Sequence, residues 1–439
     1  MVARDALDVS DLLDRAPVSS FHGRVLALCA FSLVVDGFDL LAMSAAAPSV
    51  AADFQVPSAA FGPVLSASLF GAAIGGVLAG PVGDRIGRRP LLIGMFLLAA
   101  IVTAATAFCT TLDALIALRL LTGLFVGGAV PPALALAAEY YPASRRQLLL
   151  IIMVGGAPLG SALASLSAPS LIARFGWEGI FVVGGGLALA CGLMLAAALP
   201  ESLRFLVLKG RGPESVAALI AKIAPQCSIA ADQPITVRDE STGASAKLLF
   251  ADGRAGATLL LWVVYIGSQA QLYFLGSWLP ILFRESGLPL ATALYGTMAH
   301  QAGGVFGSIA FGFWSDRVAP ERVMAWMYAL AIVSIPLLGL ATGALPLLFI
   351  LAIVSGIGAV GVQSCVHAFA ATFYPTLIRT TGVGWGVSVG RLGAIVSPLI
   401  GGMMLGAGWP VPRILLAVSV APLMCLAAVE MLRRLPSRA

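Results

Sequence analysis

Charge is the scarcest commodity in this sequence. Of 439 residues only 11% are Asp, Glu, Lys or Arg, against 59% hydrophobic, with three histidines and six cysteines. A water-soluble domain carries nearer a quarter charged residues, so a soluble globular chain is set aside. The cysteines (Cys29, Cys109, Cys191, Cys227, Cys365, Cys425) are scattered and no CxxC occurs, so they read as small packing residues. A disulfide frame or thiolate metal site is not expected. No glycine-rich loop carries the lysine that cradles nucleotide phosphates, and no Cys/His cluster has metal-ligand spacing. Neither an enzyme, a cofactor nor a bound metal is expected. Residues 1–20 lack the basic start and short apolar core of a secretory signal. Asp5, Asp8, Asp11 and Asp14 recur every third position, which predicts a short surface helix in a solvated tail.

What the chain has in excess is apolar length. Crossing about 30 Å of hydrocarbon takes roughly 20 apolar residues, and such runs fall near 24–48, 61–82, 90–110, 114–138, 147–173 and 179–199. They resume near 257–283, 292–314, 322–342, 345–371, 380–407 and 411–432. The fold expected is an all-α membrane protein, with twelve transmembrane helices in two six-helix bundles. Its divisions are a tail (1–23), a first bundle (24–199), a polar linker (200–256), a second bundle (257–432) and a short tail (433–439). The linker predicts one amphipathic helix within 200–226, a flexible stretch at 235–247 and a second short helix within 247–256. With a cytoplasmic amino terminus, 21 of the 26 Lys and Arg residues fall in cytoplasmic segments. Arg174, Arg284 and Arg413 lie on the far side, and Arg119 and Arg391 lie within spans. The bias toward basic residues inside places both ends in the cytoplasm. The positive excess thus marks topology and contact with the bilayer, and no nucleic-acid partner is needed to explain it.

The two halves echo one another about 233 positions apart. GDRIGRR (Gly83–Arg89) returns as SDRVAPER (Ser315–Arg322), EYYPASRR (Glu139–Arg146) as TFYPTLIR (Thr372–Arg379), and APLG (Ala157–Gly160) as GRLG (Gly390–Gly393). The glycine clusters at 122–128 and 355–361 share that spacing. Small residues let helix backbones approach closely where lipid gives apolar side chains no drive to associate. The symmetry fails at Asp36 and Asp39, which project onto Gln269 and Leu272, and at Arg391, which stands where Pro158 stood. Unduplicated charges inside a duplicated membrane scaffold are expected of a solute transporter.

These motifs carry a resemblance. GPVGDRIGRRP (80–90) resembles the loop between the second and third helices of the major facilitator superfamily, and GFWSDRVAPER (312–322) is its weaker copy. PESLRFL (200–206) is similar to the sequence that follows the sixth helix in sugar and organic-acid porters. More narrowly, DGFD (36–39), RLLTG (119–123), SWLP (277–280), FYPT (373–376) and GRLGAI (390–395) resemble the aromatic acid:proton symporter family. The resemblance covers essentially the whole chain.

An ionised side chain at the bilayer centre costs about 2.5–3.5 kcal/mol even on lenient insertion scales. The four buried charges must therefore pair, face water or titrate. Asp36 and Asp39, three apart, share a helix face. The resemblance implies that Asp39 pairs with Arg119 and that protonation releases the pair. Asp36 is either a second proton site or a structural partner, and structural pairing of all four charges is the plainer alternative. Arg391 offers a planar fork suited to a carboxylate, or else neutralises Asp36 across the halves. Phe38, Tyr265, Tyr273, Phe274 and Trp385 are candidates to flank an aromatic ring, each equally readable as core or interface belt. Gln269, Gln301, Gln363, His300 and His367 are polar groups within spans that could bond a carboxylate or hydroxyl.

At the loop motifs the resemblance implies a gate. Asp84 would reach the end of the eleventh helix, and Arg88 or Arg89 would reach Glu139. Arg85, Asp316, Arg317 and Arg379 complete the gate, and a tight turn with topogenic charge is the bland alternative. The function implied is proton-coupled import of an aromatic acid such as benzoate or hydroxybenzoate across a bacterial inner membrane, by a monomer. A porter for another organic acid or a sugar, or a receptor without transport, stands as the alternative.

Overall fold

In the computed structural model, residues 7–210, 213–223, 235–236, 246–251, 253–314, 317–375 and 378–434 are described. Eleven helical spans are long and apolar enough to cross a membrane. In the first half they are Ser20–Asp53, Ser58–Ile86, Arg88–Thr106, Leu112–Tyr140, Leu148–Phe175 and Glu178–Ala198; in the second they are Ala255–Glu285, Pro320–Gly343, Leu345–Phe373, Thr381–Gly406 and Val411–Arg434. A twelfth helix, Leu290–Trp314, stands eighth in order. Its His300 and Gln301 dilute the apolar character without adding charge. The first span begins four residues before the apolar run does. There the backbone N–H of Ser19 is satisfied by His22 Nδ1 at 3.1 Å, which closes the helix start. The tenth span contains a π-helical turn at Ile357–Gly361, a local widening often found near functional sites.

Backbone-to-backbone packing carries the internal repeat. A Cβ placed on Gly123 of the fourth span would lie 1.9 Å from the carbonyl oxygen of Ser68 in the second. One on Gly356 of the tenth would lie 1.8 Å from that of His300 in the eighth. Gly160 of the fifth span meets Val34 of the first in the same manner, and Gly393 of the eleventh meets Ile266 of the seventh, at 1.9 and 2.1 Å. No side chain fits at these four positions. Each second-half glycine follows its first-half counterpart by 233 residues.

The halves meet where the second span packs on the eleventh, the fifth on the eighth and the first on the seventh. At the end remote from the linker, one buried apolar cluster runs through both halves and includes Phe61, Leu65, Trp177, Phe274 and Trp278. Ser58 donates to Glu285 at 2.6 Å and Ser66 to the Ile395 carbonyl at 2.9 Å across this seam. At the linker end the core divides into two clusters, one per half. The molecule is therefore closed at its far end and parted at its linker end.

The amino-terminal segment departs from the expected solvated tail. Its helix, Val9–Arg15, buries Val9 and Leu13 in the same cluster as Val216, Ile220 and Ile223 of the linker helix Pro213–Ile223. Asp14 forms an ion pair with Arg146, and its carbonyl accepts from Ala143 N–H at 3.3 Å. Leu7–Asp8 pairs in parallel with Ile235–Thr236. Asp11 is exposed and Asp8 and Asp14 are half-buried, while an apolar stripe, spaced Val9, Leu13, Ala16, faces in; Asp5 lies outside the described residues. The short helix expected near 247–256 is a 3₁₀ turn at Ala246–Phe250.

Candidate functional site

A cavity of about 190 Å³ lies between the halves, walled by the first, second, fourth, seventh and eleventh spans. Asp36, Asp39, Gln269, Tyr273 and Arg391 supply its principal polar groups, and Leu69, Val126, Val130, Val387 and Ala394 its apolar ones. The three-residue spacing of Asp36 and Asp39 puts both carboxylates on the cavity face. Gly37, between them, faces the fifth span so closely that a Cβ would lie 1.8 Å from the Ala157 carbonyl oxygen. Glycine between the acids thus seats them where they stand. Asp36 is within electrostatic reach of Asp39 and Arg391.

Asp39 and Arg119 form a buried ion pair, Nη1 to Oδ1 3.0 Å. Arg119 is fully buried. Its Nη2 donates to the hydroxyls of Thr106 at 2.9 Å and Thr122 at 3.1 Å, and its guanidinium carbon lies 5.0 Å from the centre of the Phe181 ring. Nε has no partner among the described residues. A buried guanidinium held by one carboxylate and two neutral hydroxyls depends heavily on that carboxylate. Asp39, unlike Arg119, borders the cavity, so anything that protonates it leaves the cation without its counter-charge.

Arg391 reaches across the seam. Its Nη1 donates to the carbonyl oxygens of Ala72 and Ala73 on the second span, at 3.1 and 3.4 Å. The site is open because residue 76 is glycine: a Cβ there would sit 2.8 Å from Nη1. Gly76 also borders a second recess of about 140 Å³, lined by Gly80, Asp84, Arg88, Pro131 and Pro132 among others.

The other residues singled out from the sequence lie elsewhere. Phe38 points into the first bundle, where a Cβ on Gly184 would touch its ring at 3.4 Å. Trp385 stacks on Trp262 at 6.0 Å and is 45% exposed. It shares a helix face with Leu392, seven residues on and also exposed, and not with Val387 and Arg391. His300 is buried and bonds the Ser355 hydroxyl at 2.9 Å inside the second bundle. Gln301 and Gln363 do not line the cavity, and they carry buried amide atoms without partners among the described residues. His367 meets the Tyr265 hydroxyl at 3.2 Å. Phe274 stacks near Trp278 in the far-end core.

At the linker end, Arg88 forms an ion pair with Glu139, which also accepts from the Ser202 hydroxyl at 2.6 Å. Arg89 donates to the Ala196 carbonyl at 2.5 Å. Asp84, Arg85, Arg317 and Arg379 are exposed, and Asp316 lies outside the described residues. The residue that organises this corner was not singled out from the sequence. Glu201 accepts the backbone N–H groups of Arg88, Arg89 and Ser202 at 3.0, 3.2 and 2.8 Å, and so caps the positive end of the third span. Gly87, at φ +101°, lets the chain turn beneath that carboxylate. The signal was present in PESLRFL, read there as a motif and not as a ligand for backbone.

Comparison with known proteins agrees with this architecture. Residues 29–299 and 261–439 match the model of the Major Facilitator Superfamily. The 4-hydroxybenzoate transporter PcaK of Pseudomonas aeruginosa is 37% identical over 97% of this chain and 96% of its own length. The gallate transporter of Pseudomonas putida is 38% identical over 92% of this chain and 90% of its own. Among solved structures, the D-xylose-proton symporter superposes with a TM-score of 0.73 at 18% identity, covering 94% of this chain and 97% of that one. A bacterial homologue of the human lysosomal transporter Spinster superposes at 0.75 and 17% identity, covering 95% of this chain and 98% of the other. The chain belongs to the Major Facilitator Superfamily, within its family of aromatic acid transporters.

Proposed function

We propose that this protein imports an aromatic carboxylic acid, of the benzoate or hydroxybenzoate class, together with protons across a bacterial inner membrane. It does so as a monomer with both termini in the cytoplasm. The observation that carries this reading is one cavity holding two carboxylates and a guanidinium, with a second guanidinium bonded behind one of the acids. Arg391 is the partner for the substrate's carboxylate; Tyr273 and Gln269 are placed to meet ring substituents, and the aliphatic wall meets the ring. Relatives named for 4-hydroxybenzoate, gallate and benzoate transport support that substrate class.

The Asp39–Arg119 pair supports proton coupling. While Asp39 is ionised it holds Arg119 and the first span to the fourth. Protonation from the cavity side cancels the attraction and leaves a buried cation to re-seat, which shifts the balance between the two openings of the molecule. A carboxylate entering with one proton carries no net charge and draws only on the pH gradient, whereas each further proton brings in one net charge worth about 2.3 kcal/mol per 100 mV, enough for roughly fifty-fold accumulation of cargo.

Uptake of radiolabelled 4-hydroxybenzoate into proteoliposomes tests the reading. An imposed inward proton gradient should drive accumulation above equilibrium, and an uncoupler should abolish it. Uptake that equilibrates regardless of the gradient would refute coupling. Arg391→Lys, which keeps charge but loses the fork, should raise KM about ten-fold or more with little change in expression.

A further inference from the structure

The position of Arg391 raises a question that substrate binding alone leaves unanswered. Its guanidinium belongs to the second half, yet it is bonded to the first through Ala72 and Ala73. Both acceptors are helical carbonyls with a spare lone pair. They are reachable because Gly76, one turn on, has no side chain to cover them. The contact lies midway along the second and eleventh spans. On one side is the far-end seam, formed by Ser66 against Ile395 and by Gly62 packed 3.2 Å from the Pro398 carbonyl oxygen as a Cβ would meet it. On the other side is the recess bordered by Gly76 and Asp84. The guanidinium therefore stands between the central cavity and the recess toward the parted end.

We propose that Arg391 is a latch as well as a ligand. Ala72 and Ala73, uncovered by Gly76, hold its guanidinium across the two halves, and the substrate's carboxylate competes for the same N–H groups. This rests on the role proposed above for Arg391. The bonds to Ala72 and Ala73 are charge-assisted on the donor side alone, whereas a carboxylate adds a full opposite charge and a bidentate fit to the guanidinium, so it wins the exchange. Cargo binding then removes a tie between the second and eleventh spans, and the far end is freer to open. Cargo and conformation are thereby coupled through one side chain, and Gly76 is the positioning residue that permits it.

Gly76→Ala separates the two roles, because the added methyl displaces only the flexible end of Arg391 and leaves its charge in the cavity. Two measurements on purified full-length protein decide the matter. The first is the equilibrium Kd for 4-hydroxybenzoate. The second is the distance between spin labels at Ala52→Cys and Ala407→Cys, two exposed far-end positions, in a Cys227→Ser background where the other cysteines are buried. Gly76→Ala should tighten binding about ten-fold or more, the competition of one hydrogen bond from a charged donor being removed, and should shift the label distances to longer values without ligand. Arg391→Gln should lengthen the same distances while losing the affinity. Unchanged distances in both variants, or a Gly76→Ala Kd equal to or weaker than wild type, would overturn the latch. Full affinity in Arg391→Gln would instead overturn the reading of Arg391 as the carboxylate's partner, whatever the distances show.

Discussion

Asp39 and Arg119 are worth more to each other than to the fold. Removing one partner of a buried pair leaves an uncompensated charge and costs about 3–5 kcal/mol, whereas removing both is often nearly neutral. Asp39→Asn should therefore lower the yield of folded protein, and the double variant Asp39→Asn with Arg119→Gln should restore it. Neither should accumulate substrate against a gradient. Recovery of uphill uptake in the double variant would show that the pair is structural only, and thermal melting alongside uptake reads both effects. Asp36 lines the same cavity as Asp39 and Arg391. At this scale the sequence was informative about charge and silent about backbone. Asp36, Asp39, Arg119, Gln269, Tyr273 and Arg391 stand out because ionic and amide groups are scarce in spans. The carbonyls of Ala72 and Ala73 carry no signature, since every residue has one. Thr106 and Thr122, which hold Arg119, look like ordinary small helix residues until the fold brings them to the guanidinium. Phe38 and Trp385 show the converse. An aromatic side chain on a pore-lining span faces the pore only if the helix is rotated to suit, and neither faces it here.

Among the elements, the helices themselves were the most legible feature, because hydrocarbon thickness sets their length and number. Their ends were less so. Turns beyond the bilayer are held by polar contacts, such as His22 on Ser19 and Glu201 on the third span, that hydropathy does not register. The amino-terminal helix is the clearest case. Its acidic period suggested a solvated surface, yet Val9 and Leu13 are buried against the linker helix. Deleting the buried side chain in Leu13→Ala should cost about 2–5 kcal/mol of docking if the site does not collapse, enough to undock so short a helix. Limited trypsin digestion should then cut the linker at Lys222 well before it cuts wild type. Equal cleavage rates would mean that the helix contributes nothing to holding the linker.

For the whole molecule, the asymmetry between its ends defines which way the cavity can communicate. One continuous apolar cluster and two inter-half hydrogen bonds seal the far end, while the linker end has a separate core in each half. A duplicated sequence predicts two bundles but not which seam is shut, because both arrangements use the same helices and differ by small rotations. Hydrogen bonds of this kind contribute about 1 kcal/mol each. Ser58→Ala should therefore raise the population open at the far end by about five-fold. Labelling of Ser66→Cys by a membrane-impermeant thiol reagent measures this, since Ser66 is buried in the seam. An unaltered labelling rate would place the main restraint in the apolar cluster instead.

The pairing of Leu7–Asp8 with Ile235–Thr236 has a mechanical consequence. From the buried Ile223 to the buried Leu249 is 26 positions along the chain, and from the paired Thr236 to Leu249 it is 13. About 13 residues reach at most roughly 45 Å when pulled straight. A two-residue pairing outside both bundles thus bears on how far apart the two anchoring points of the connector can stand.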